Sequence, residues 1–328
     1  MSGPPLLEVE KVEVHFRLPG ALPWQSRRLR AVDGVSLSLA KGRTLGIVGE
    51  SGCGKSTLAR AILGLVPITS GKIRLMGRRI DRCPPNTLRP LRRHMQVVFQ
   101  DPFAALDPRM TVGEIVAEPL RVFEPSLDRR GRQARVRRML DRVGLASSHL
   151  NRYPHEFSGG QCQRIGIARA LIVEPALLVC DEPVSALDVS VQAQIVNLLQ
   201  DLQQEMGLAL LFIAHDLAVV RQVSHEIMVM YLGRVVERAP RAPIYTAPRH
   251  PYTRALLEAV PLPDPERERA RKRTLLQGDL PSPLEPPTGC AFHTRCPRAE
   301  ERCRTNRPRL IQQKPRHWLA CHSPLETF

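Results

Sequence analysis

The stretch that decides the fold is Gly49-Glu50-Ser51-Gly52-Cys53-Gly54-Lys55-Ser56-Thr57, which matches the phosphate-binding pattern G-x-x-x-x-G-K-[ST]. The apolar run 44–48 precedes it, and an apparent helix follows from Leu58. Glycines in such a loop let backbone N–H groups turn toward a phosphate, and the N-terminus of the next helix favours negative charge. Lys55 can reach the outer phosphates, and the Ser56 hydroxyl can bind Mg²⁺. The stretch therefore predicts a nucleotide site rather than a chance glycine turn.

Length and composition indicate a globular protein of one large domain or two. The chain has 328 residues, 43% of them apolar. It shows neither an apolar run of about 18 residues nor an N-terminal secretory pattern, so we expect a protein made in the cytosol that does not itself cross a membrane. A net charge of +16 favours anionic partners, but the 4% aromatic content argues against a base-stacking surface for nucleic acid.

Hydrophobic periodicity divides the chain into regions. Alternating apolar residues predict strands on both sides of a surface loop at 18–30. The pattern is helical from 111 to 170, where Val136, Met139, Leu140 and Val143 are spaced i, i+3, i+4 and i+7 and predict one apolar helix face. A strand, helix, strand order over 176–214 predicts a parallel sheet. Half of the thirty prolines lie within 240–324, so long helices and central strands are not expected there. The chain thus reads as an α/β core with a helical insertion and a separate tail.

A pair of carboxylates follows a second apolar strand. Residues 177–180 are apolar and end at Asp181 and Glu182. Ligands bind at the carboxyl ends of strands in doubly wound sheets, beside the phosphate loop. Asp181 is placed to hold Mg²⁺, and Glu182 to orient or deprotonate an attacking water. Beside the phosphate loop, the pair predicts a nucleotide-hydrolysing site.

A second glycine turn opens a later helix. Phe157 precedes Ser158-Gly159-Gly160-Gln161, which leads into a helical run at 163–171. This can be a second anion-binding helix N-terminus. It can equally be a flexible turn with an N-cap serine. The turn by itself leaves both interpretations open.

Six motifs occur in the order seen in ATP-binding cassette (ABC) ATPases, which the chain resembles. The stretches similar to the Walker A loop, Q-loop, signature, Walker B, D-loop and switch histidine are, in order, Gly49–Thr57, Gln100, Ser158–Gln161, Asp181-Glu182, Ser185–Asp188 and His215. The resemblance implies an α/β P-loop NTPase fold. It has a parallel core sheet, an N-terminal antiparallel β-subdomain and a helical subdomain inserted at about 101–170.

The resemblance also implies a role for each motif residue. The residues implied in binding ATP within one chain are Phe16 (stacking on adenine, with Trp24 as the alternative), Gly49, Ser51, Gly52, Cys53, Gly54, Lys55, Ser56 and Thr57. Those implied for Mg²⁺ are Ser56, Gln100 and Asp181, and those implied for hydrolysis are Glu182 as the catalytic carboxylate, His215 and Gln100. Two cassettes of this family sandwich two ATP molecules head to tail. The residues implied to complete the partner chain's site are Ser158, Gly159, Gly160, Gln161 and Asp188. Cys162 departs from the family, which usually has Arg or Gln there.

Longer stretches are similar to the dipeptide/oligopeptide importer subfamily, most of all to its second, "F"-type, ATPase. They are 31–36, 153–161, 181–190, 250–257, 278–283 and the closing cysteine segment. The similarity implies an ABC domain at 1–248, a C-terminal domain at 249–328, and uptake of dipeptides or oligopeptides. The implied partners are a second ABC ATPase subunit, in a heterodimer or as a copy of this chain, two membrane permeases and a solute-binding protein, with no nucleic acid. The implied location is peripheral, on the cytoplasmic face of the inner membrane. Nickel and glutathione importers share much of the pattern.

Four of the eight cysteines cluster in the tail, with the spacing C-x5-C-x6-C-x17-C at Cys290, Cys296, Cys303 and Cys321. Clustered cysteines in a cytosolic protein indicate metal before disulfides, and four thiolates suit an iron–sulfur cluster or zinc. The resemblance implies a 4Fe–4S cluster that staples the C-terminal domain. The histidines that keep a mixed zinc site open are His293, His317 and His322. Four buried structural thiols are the simpler alternative.

Two other classes of function compete with transport. A soluble ABC ATPase acting on nucleic acid or translation would suit the basic charge. Such proteins usually carry two cassettes or a long coiled-coil insertion, and this chain has neither. A phosphotransferase kinase would leave 158–161 and 185–188 unexplained. The sequence therefore favours a transport ATPase.

Overall fold

The computed structural model describes residues 4–19, 26–260 and 278–326, which divide into two compact units. We call the first the helical unit; it consists of Ser38–Thr44, Arg74–Ile213 and the N-terminal residues to Leu7. The second, the phosphate-loop unit, consists of Glu8–Leu37, Leu45–Ile73 and the described residues from Ala214 onward. Trp24, the alternative adenine-stacking residue, lies outside the described residues.

The strands of the described residues match most of the sequence prediction. In chain order they are β1 (Leu7–Pro19), β2 (Ser26–Leu39), β3 (Thr44–Val48), β4 (Ser70–Leu75), β5 (Arg78–Arg79), β6 (Met95–Val98), β7 (Leu177–Asp181), β8 (Ala209–Ala214), β9 (Glu226–Tyr231), β10 (Arg234–Pro240), β11 (Ile311–Lys314) and β12 (His317–Leu319). Strands β1 and β2 extend into the stretch predicted as a loop at 18–30, the first as far as Pro19 and the second from Ser26.

The helices of the described residues are, in chain order, α1 (Lys55–Ile62), α2 (Pro85–Leu91), α3 (Val112–Phe123), α4 (Arg129–Arg142), α5 (Gly159–Leu171), α6 (Val189–Met206), α7 (Leu217–Val223), α8 (Arg241–Thr246), α9 (Pro251–Ala259) and α10 (Glu301–Thr305). Within the described ranges, none of them is long and apolar enough to cross a membrane.

The helical unit combines parallel strands with the predicted helices. Strand β7 pairs in parallel with β6 on one side and with β8 on the other. All residues of β7 and β8 are buried, as expected for strands covered on both faces. In α4, the apolar residues Val136, Met139 and Leu140 are buried, and Gly144 just after the helix has a φ of +73°. Periodicity therefore identified the buried face of α4 correctly.

The phosphate-loop unit contains a mixed sheet. Strand β3 pairs in parallel with β9, but β10 pairs antiparallel with β9, β12 with β10, and β11 with β12. The predicted parallel core is thus incomplete. The sheet is mixed because a tight turn joins β9 to β10, where Leu232 and Gly233 have φ of +43° and +78°. Two positive φ angles in a two-residue turn match strand twist and close a hairpin. Strands β2, β1 and β4 form a separate sheet in this order.

Strand pairing holds the tail, so the prediction of a cysteine-stapled C-terminal domain is not confirmed. Strand β12 adds to the sheet through the pairs Glu237↔Leu319 and Arg238↔Trp318. The Arg238 guanidinium also lies 5.2 Å from the centre of the Trp318 ring. All eight cysteines are free thiols. In the described part of the tail, edge pairing and aromatic packing supply contacts that the sequence argument assigned to metal.

A buried carboxylate on β10 adds to this attachment. Glu237 is 0% exposed, and its oxygens accept hydrogen bonds from His317 Nε2 at 2.7 Å, Arg249 N at 2.9 Å and His250 N at 3.0 Å. Burial alone would raise the pKa of Glu237, but the hydrogen bonds outweigh burial and lower it. These hydrogen bonds offset the free-energy cost of burying the Glu237 charge. Removing one of the partners would leave part of that desolvation cost without compensation.

Candidate nucleotide-binding site

The phosphate loop lies so close to neighbouring backbone that two of its glycines admit no side chain. A Cβ at Gly49 would lie 2.2 Å from the carbonyl oxygen of Met230. A Cβ at Gly54, where φ is +101°, would lie 2.0 Å from the carbonyl oxygen of Ala31. Because these contacts are with backbone, no rotamer change can relieve them. Gly49 and Gly54 are therefore required by the backbone that surrounds the loop.

Lys55 starts helix α1 and points back over the loop. It is 3% exposed, and its Nζ donates to the carbonyl oxygens of Gly49 at 2.7 Å and Glu50 at 3.0 Å. The helix has Gly54 as its N-cap, with no side-chain cap among the described contacts. Its first amides and the lysine can thus serve an anion together. Ser56 and Thr57 follow, both half-buried. This donor set fits the phosphates of a nucleotide, and Ser56 adds a hydroxyl suited to Mg²⁺.

Two further residues of this unit belong to the predicted site. The Cys53 carbonyl oxygen accepts a hydrogen bond from Gly233 N at 2.8 Å. Burial raises the pKa of the Cys53 thiol more than Lys55 lowers it, so the thiol is neutral. Phe16 lies in β1 and is 36% exposed, which leaves its ring accessible. Its stacking on adenine stays a prediction.

The carboxylates lie at the carboxyl end of β7 in the helical unit. Asp181, the last residue of the strand, is 6% exposed. Glu182 follows with a φ of +48°, and its N–H donates to the Ile213 carbonyl at 3.0 Å. Gln100 Nε2 donates to Glu182 Oε2 at 3.2 Å. The structure thus brings the Q-loop amide to the predicted catalytic carboxylate, 82 residues apart in sequence.

The residues after Glu182 form a fixed turn. The Ser185 hydroxyl donates to the Glu182 carbonyl at 3.1 Å. Asp188 is exposed and serves as the N-cap residue of α6 without a side-chain hydrogen bond in the described cap. His215 follows β8 in the phosphate-loop unit and is exposed; Asp216 next to it caps α7 through Ala218 N at 2.7 Å. The histidine is therefore at the start of a capped helix.

The turn Ser158–Gln161 caps its own helix. Ser158 Oγ accepts from Gln161 N at 3.4 Å, and Gln161 Oε1 accepts from Ser158 N at 3.0 Å, which is a capping box. A Cβ at Gly160 would lie 2.5 Å from Cγ1 of Val191, at the side of α6. The N-cap interpretation of Ser158 is thus confirmed, and Gly160 admits close packing of α5 on α6. The role of Gly159 and the rest of the turn toward an anion stays a prediction.

Cys162, which departs from the family pattern, is a core residue. It is 0% exposed, and its thiol donates to the Pro154 carbonyl at 3.5 Å. Burial raises its pKa to about 11, so it is a neutral thiol at physiological pH. It packs beneath the turn rather than facing solvent.

The four tail cysteines are neighbours, although no metal centre is formed in the described structure. Cys290 N donates to the Cys303 carbonyl at 2.8 Å, which places the backbones of these two residues side by side. Burial raises the pKa of Cys290 and Cys296, and that of Cys321 to about 12. Over residues 4–19, 26–260 and 278–326, no group of three or more His, Cys, Asp or Glu side chains is arranged to hold a metal ion.

The mixed zinc site stays a prediction, because each of the three histidines has a hydrogen-bond partner at one ring nitrogen and the other nitrogen could still bind a metal. His317 Nε2 contacts Glu237 Oε1 at 2.7 Å. His293 Nδ1 lies 2.9 Å from the Cys290 carbonyl, and His322 Nε2 lies 2.9 Å from the Asn306 carbonyl. One ring nitrogen of each histidine is thereby engaged.

Sequence reasoning missed two contacts of the phosphate loop. Arg295 forms an ion pair with Glu50, and the Tyr252 hydroxyl accepts from Glu50 N. The partners are 245 and 202 residues apart, and no spacing or periodicity connects such distant positions.

Comparison with known proteins gives the family. The ABC transporter family profile matches residues 32–185, and the profile named "Oligopeptide/dipeptide transporter, C-terminal region" matches residues 236–303. The chain is similar to the oligopeptide transport ATP-binding protein OppF of Salmonella typhimurium, with 56% identity over 96% of this chain and 95% of the relative. It is 52% identical to OppF of Haemophilus influenzae, over 96% of each chain.

A solved structure extends the comparison to the fold. A dimeric ATP-binding cassette in a post-hydrolysis state, bound to ADP and Pi, aligns with a TM-score of 0.65 and 28% identity, covering 72% of this chain and 98% of the other. The chain belongs to the ATPases of ABC transporters, with the P-loop fold, mixed sheet, antiparallel sheet and helices of that class. Its C-terminal region is of the oligopeptide/dipeptide transporter type, and its activity is ATP hydrolysis.

Proposed function

We propose that this chain energises the uptake of dipeptides or oligopeptides through separate membrane permeases. The contact between Gln100 Nε2 and Glu182 Oε2 carries the hydrolytic part of the proposal, because it holds an amide beside the carboxylate that would act on water. The 56% identity to an oligopeptide transport ATP-binding protein supports the peptide substrate. These relatives favour neither a nickel or glutathione cargo nor a nucleic-acid ATPase.

Each of the two units, taken by itself, carries residues with roles of its own. Lys55 and the amides of Gly49–Thr57 bind phosphates, Phe16 stacks on adenine, and Ser56 serves Mg²⁺. In the helical unit Asp181 and Gln100 serve the metal as well, and Glu182 activates water. His215 contacts the γ-phosphate. The supporting observations are the buried lysine, the helix α1 without a side-chain cap, and the buried Asp181.

The signature turn acts on the nucleotide of a partner chain in a head-to-tail dimer, either with a sister ATPase or with a copy of this chain. Val189, next to Asp188, is 82% exposed, as expected for an apolar residue that a partner covers. Phe103 and Phe99 on the helical unit are 51% and 38% exposed, and they offer the permeases an apolar contact. The assembly lies on the cytoplasmic face of the inner membrane, and a solute-binding protein delivers the peptide to it.

In the tail, Cys290, Cys296, Cys303 and Cys321 hold a 4Fe–4S cluster, with zinc as the alternative. The support for this centre is the four-cysteine spacing of the tail, because a 4Fe–4S cluster is held by four thiolates. Protein purified without oxygen should be brown and contain about four irons per chain, and Cys296→Ser should lose the colour. One zinc and no iron would favour the alternative; absence of both would rule out a metal centre.

Transport is tested by uptake and by isolation of partners. Deleting the gene should abolish ATP-dependent uptake of a labelled tripeptide, and the wild-type chain but not Lys55→Ala should restore it. Labelled nickel and glutathione are measured in the same cells. Affinity isolation from detergent-solubilised membranes should recover two permeases. Unchanged tripeptide uptake would contradict the peptide assignment, and recovery of ribosomes or DNA instead of permeases would contradict transport.

A further inference from the structure

Glu50 is the only acidic residue within the nine residues of the phosphate loop. Arg295 Nη1 donates hydrogen bonds to both oxygens of the Glu50 carboxylate, at 3.1 Å to Oε1 and at 2.8 Å to Oε2. The Arg295 side chain is 9% exposed and that of Glu50 25%, so solvent screens this pair less than a surface ion pair. The pair lies within the phosphate-loop unit, and it joins the loop to the segment that carries Cys290 and Cys296.

A second contact holds the backbone at the same residue. Glu50 N donates to the Tyr252 hydroxyl at 2.9 Å. Tyr252, in α9, is 0% exposed, and its ring centre lies 4.8 Å from that of Tyr231 and 5.3 Å from that of Phe292. Phe292 stands three residues before Arg295. Packing of one tail segment therefore fixes both groups that contact Glu50.

We propose that Arg295 and Tyr252 are positioning residues for nucleotide binding, acting through Glu50. Tyr252 fixes the backbone amide, and Arg295 neutralises the carboxylate that a bound triphosphate would otherwise meet. The inference rests on the proposed nucleotide site at Lys55. On this proposal the segment 290–296 supports the phosphate loop. Order in this segment of the tail and the affinity for nucleotide are therefore linked.

The first experiment measures the dissociation constants of ATP and ADP with the purified full-length chain. Arg295→Ala should weaken ATP binding roughly tenfold, as for loss of a charge-assisted hydrogen bond. ADP binding should weaken less, because ADP carries less negative charge to meet the bare carboxylate. The matched control is Arg254→Ala, which removes an arginine–glutamate pair (Arg254 Nε to Glu258 Oε1, 2.8 Å) from an exposed side of α9. It should leave both constants unchanged.

A double variant separates charge from folding. Glu50→Gln combined with Arg295→Ala should restore the wild-type ratio of ATP to ADP affinity, because no carboxylate remains to be neutralised. If Arg295→Ala does not fold, Arg295→Lys and Tyr252→Phe replace it; the second keeps the ring and loses only the acceptor oxygen. A melting temperature that falls while the affinity ratio stays at its wild-type value would overturn the proposal.

Linkage supplies a readout that does not depend on activity. If the tail segment favours nucleotide binding, nucleotide must stabilise the segment by the same factor. ATP should slow hydrogen exchange at 289–296 in the wild-type chain and leave it unchanged in Arg295→Ala. Lys55→Ala distinguishes the two proposals. If Lys55→Ala binds ATP like the wild type, the assignment of the nucleotide site is wrong. If Lys55→Ala loses ATP binding while Arg295→Ala keeps it, only the positioning role of Arg295 is wrong.

Discussion

The loop Gly49–Thr57 and the turn Ser158–Gln161 both place glycines before a helix, but for different physical reasons. In the first, a Cβ at Gly54 would meet a backbone oxygen at 2.0 Å, and the described contacts of helix α1 include no side-chain cap. In the second, a Cβ at Gly160 would meet a valine methyl at 2.5 Å, and Ser158 caps its own helix. The first loop therefore keeps its glycines because backbone surrounds them, and the amides at the start of α1 have no side-chain cap in the described contacts. The second turn satisfies its own helix N-terminus, and its glycine admits the packing of α5 on α6.

The largest expected effect concerns hydrolysis. Glu182→Gln should lower kcat about 10²–10⁴-fold, as for loss of a general base, while ATP still binds. The control Glu205→Gln changes an exposed carboxylate of the same unit and should keep full activity. Steady-state phosphate release and ATP dissociation constants give the two quantities. Hydrolysis by Glu182→Gln near the wild-type rate would show that Glu182 is not the catalytic carboxylate.

The two glycines should differ in whether they can be rescued. Gly54→Ala forces a Cβ onto backbone at a positive φ and should cost roughly 2–4 kcal/mol of stability. Gly160→Ala should cost roughly 1–2 kcal/mol, and Val191→Ala in the same chain should recover most of it. Urea unfolding of the single and double variants measures these free energies. Failure of Val191→Ala to rescue Gly160→Ala would show that Gly160 is needed for its backbone, like Gly54.

Ligand affinity should separate the loops as well. Lys55→Ala should weaken ATP binding to the isolated chain about 10–150-fold, the equivalent of roughly 1.5–3 kcal/mol for a charge-assisted hydrogen bond. Ser158→Ala should leave that affinity unchanged and lower hydrolysis only in the assembled dimer. Mixing Ser158→Arg chains with Lys55→Ala chains should leave at most one of two composite sites intact. Isolated monomers that hydrolyse ATP as fast as assembled complexes would contradict the division of roles.

The smallest effect concerns acid and the support of the phosphate-loop unit. Burial lowers the pKa of His250 from 6.5 to about 4, so the folded state keeps it neutral. The contribution of neutral His250 to the free energy of unfolding is complete above pH 6.5 and is lost as the pH falls toward 4. The expected loss is about 1 kcal/mol between pH 7 and 5.5. The lowered pKa of its neighbour Glu237 acts in the same direction, below pH 4.5.

The variant His250→Asn checks the sign of this pH dependence. An asparagine oxygen can replace Nδ1 as the acceptor from Tyr252 N, which lies 3.1 Å away. Its urea-unfolding free energy should change less between pH 7 and 5.5 than that of the wild type. An equal change in both proteins would assign the acid sensitivity to other groups.

Much of this protein is determined locally, and the sequence by itself predicts it. The phosphate loop, the carboxylates after β7, the helical stripe of α4 and the cap at Ser158 depend on neighbouring residues or on a fixed period, which can be read along the chain. The order of six motifs adds the ABC class, and comparison with relatives confirms it.

Tertiary structure decided what depends on distant pairs. The antiparallel hairpin at Leu232 and Gly233 made the sheet mixed. Both residues adopt a positive φ, but only one of them is glycine, so the sequence carries no clear signal of this turn. Strand β12 and the buried Glu237–His317 pair attach the tail without a described metal, across 80 residues of sequence. Arg295 reaches Glu50 over 245 residues. Such contacts form only when separate elements pack together, so periodicity and spacing carry no trace of them.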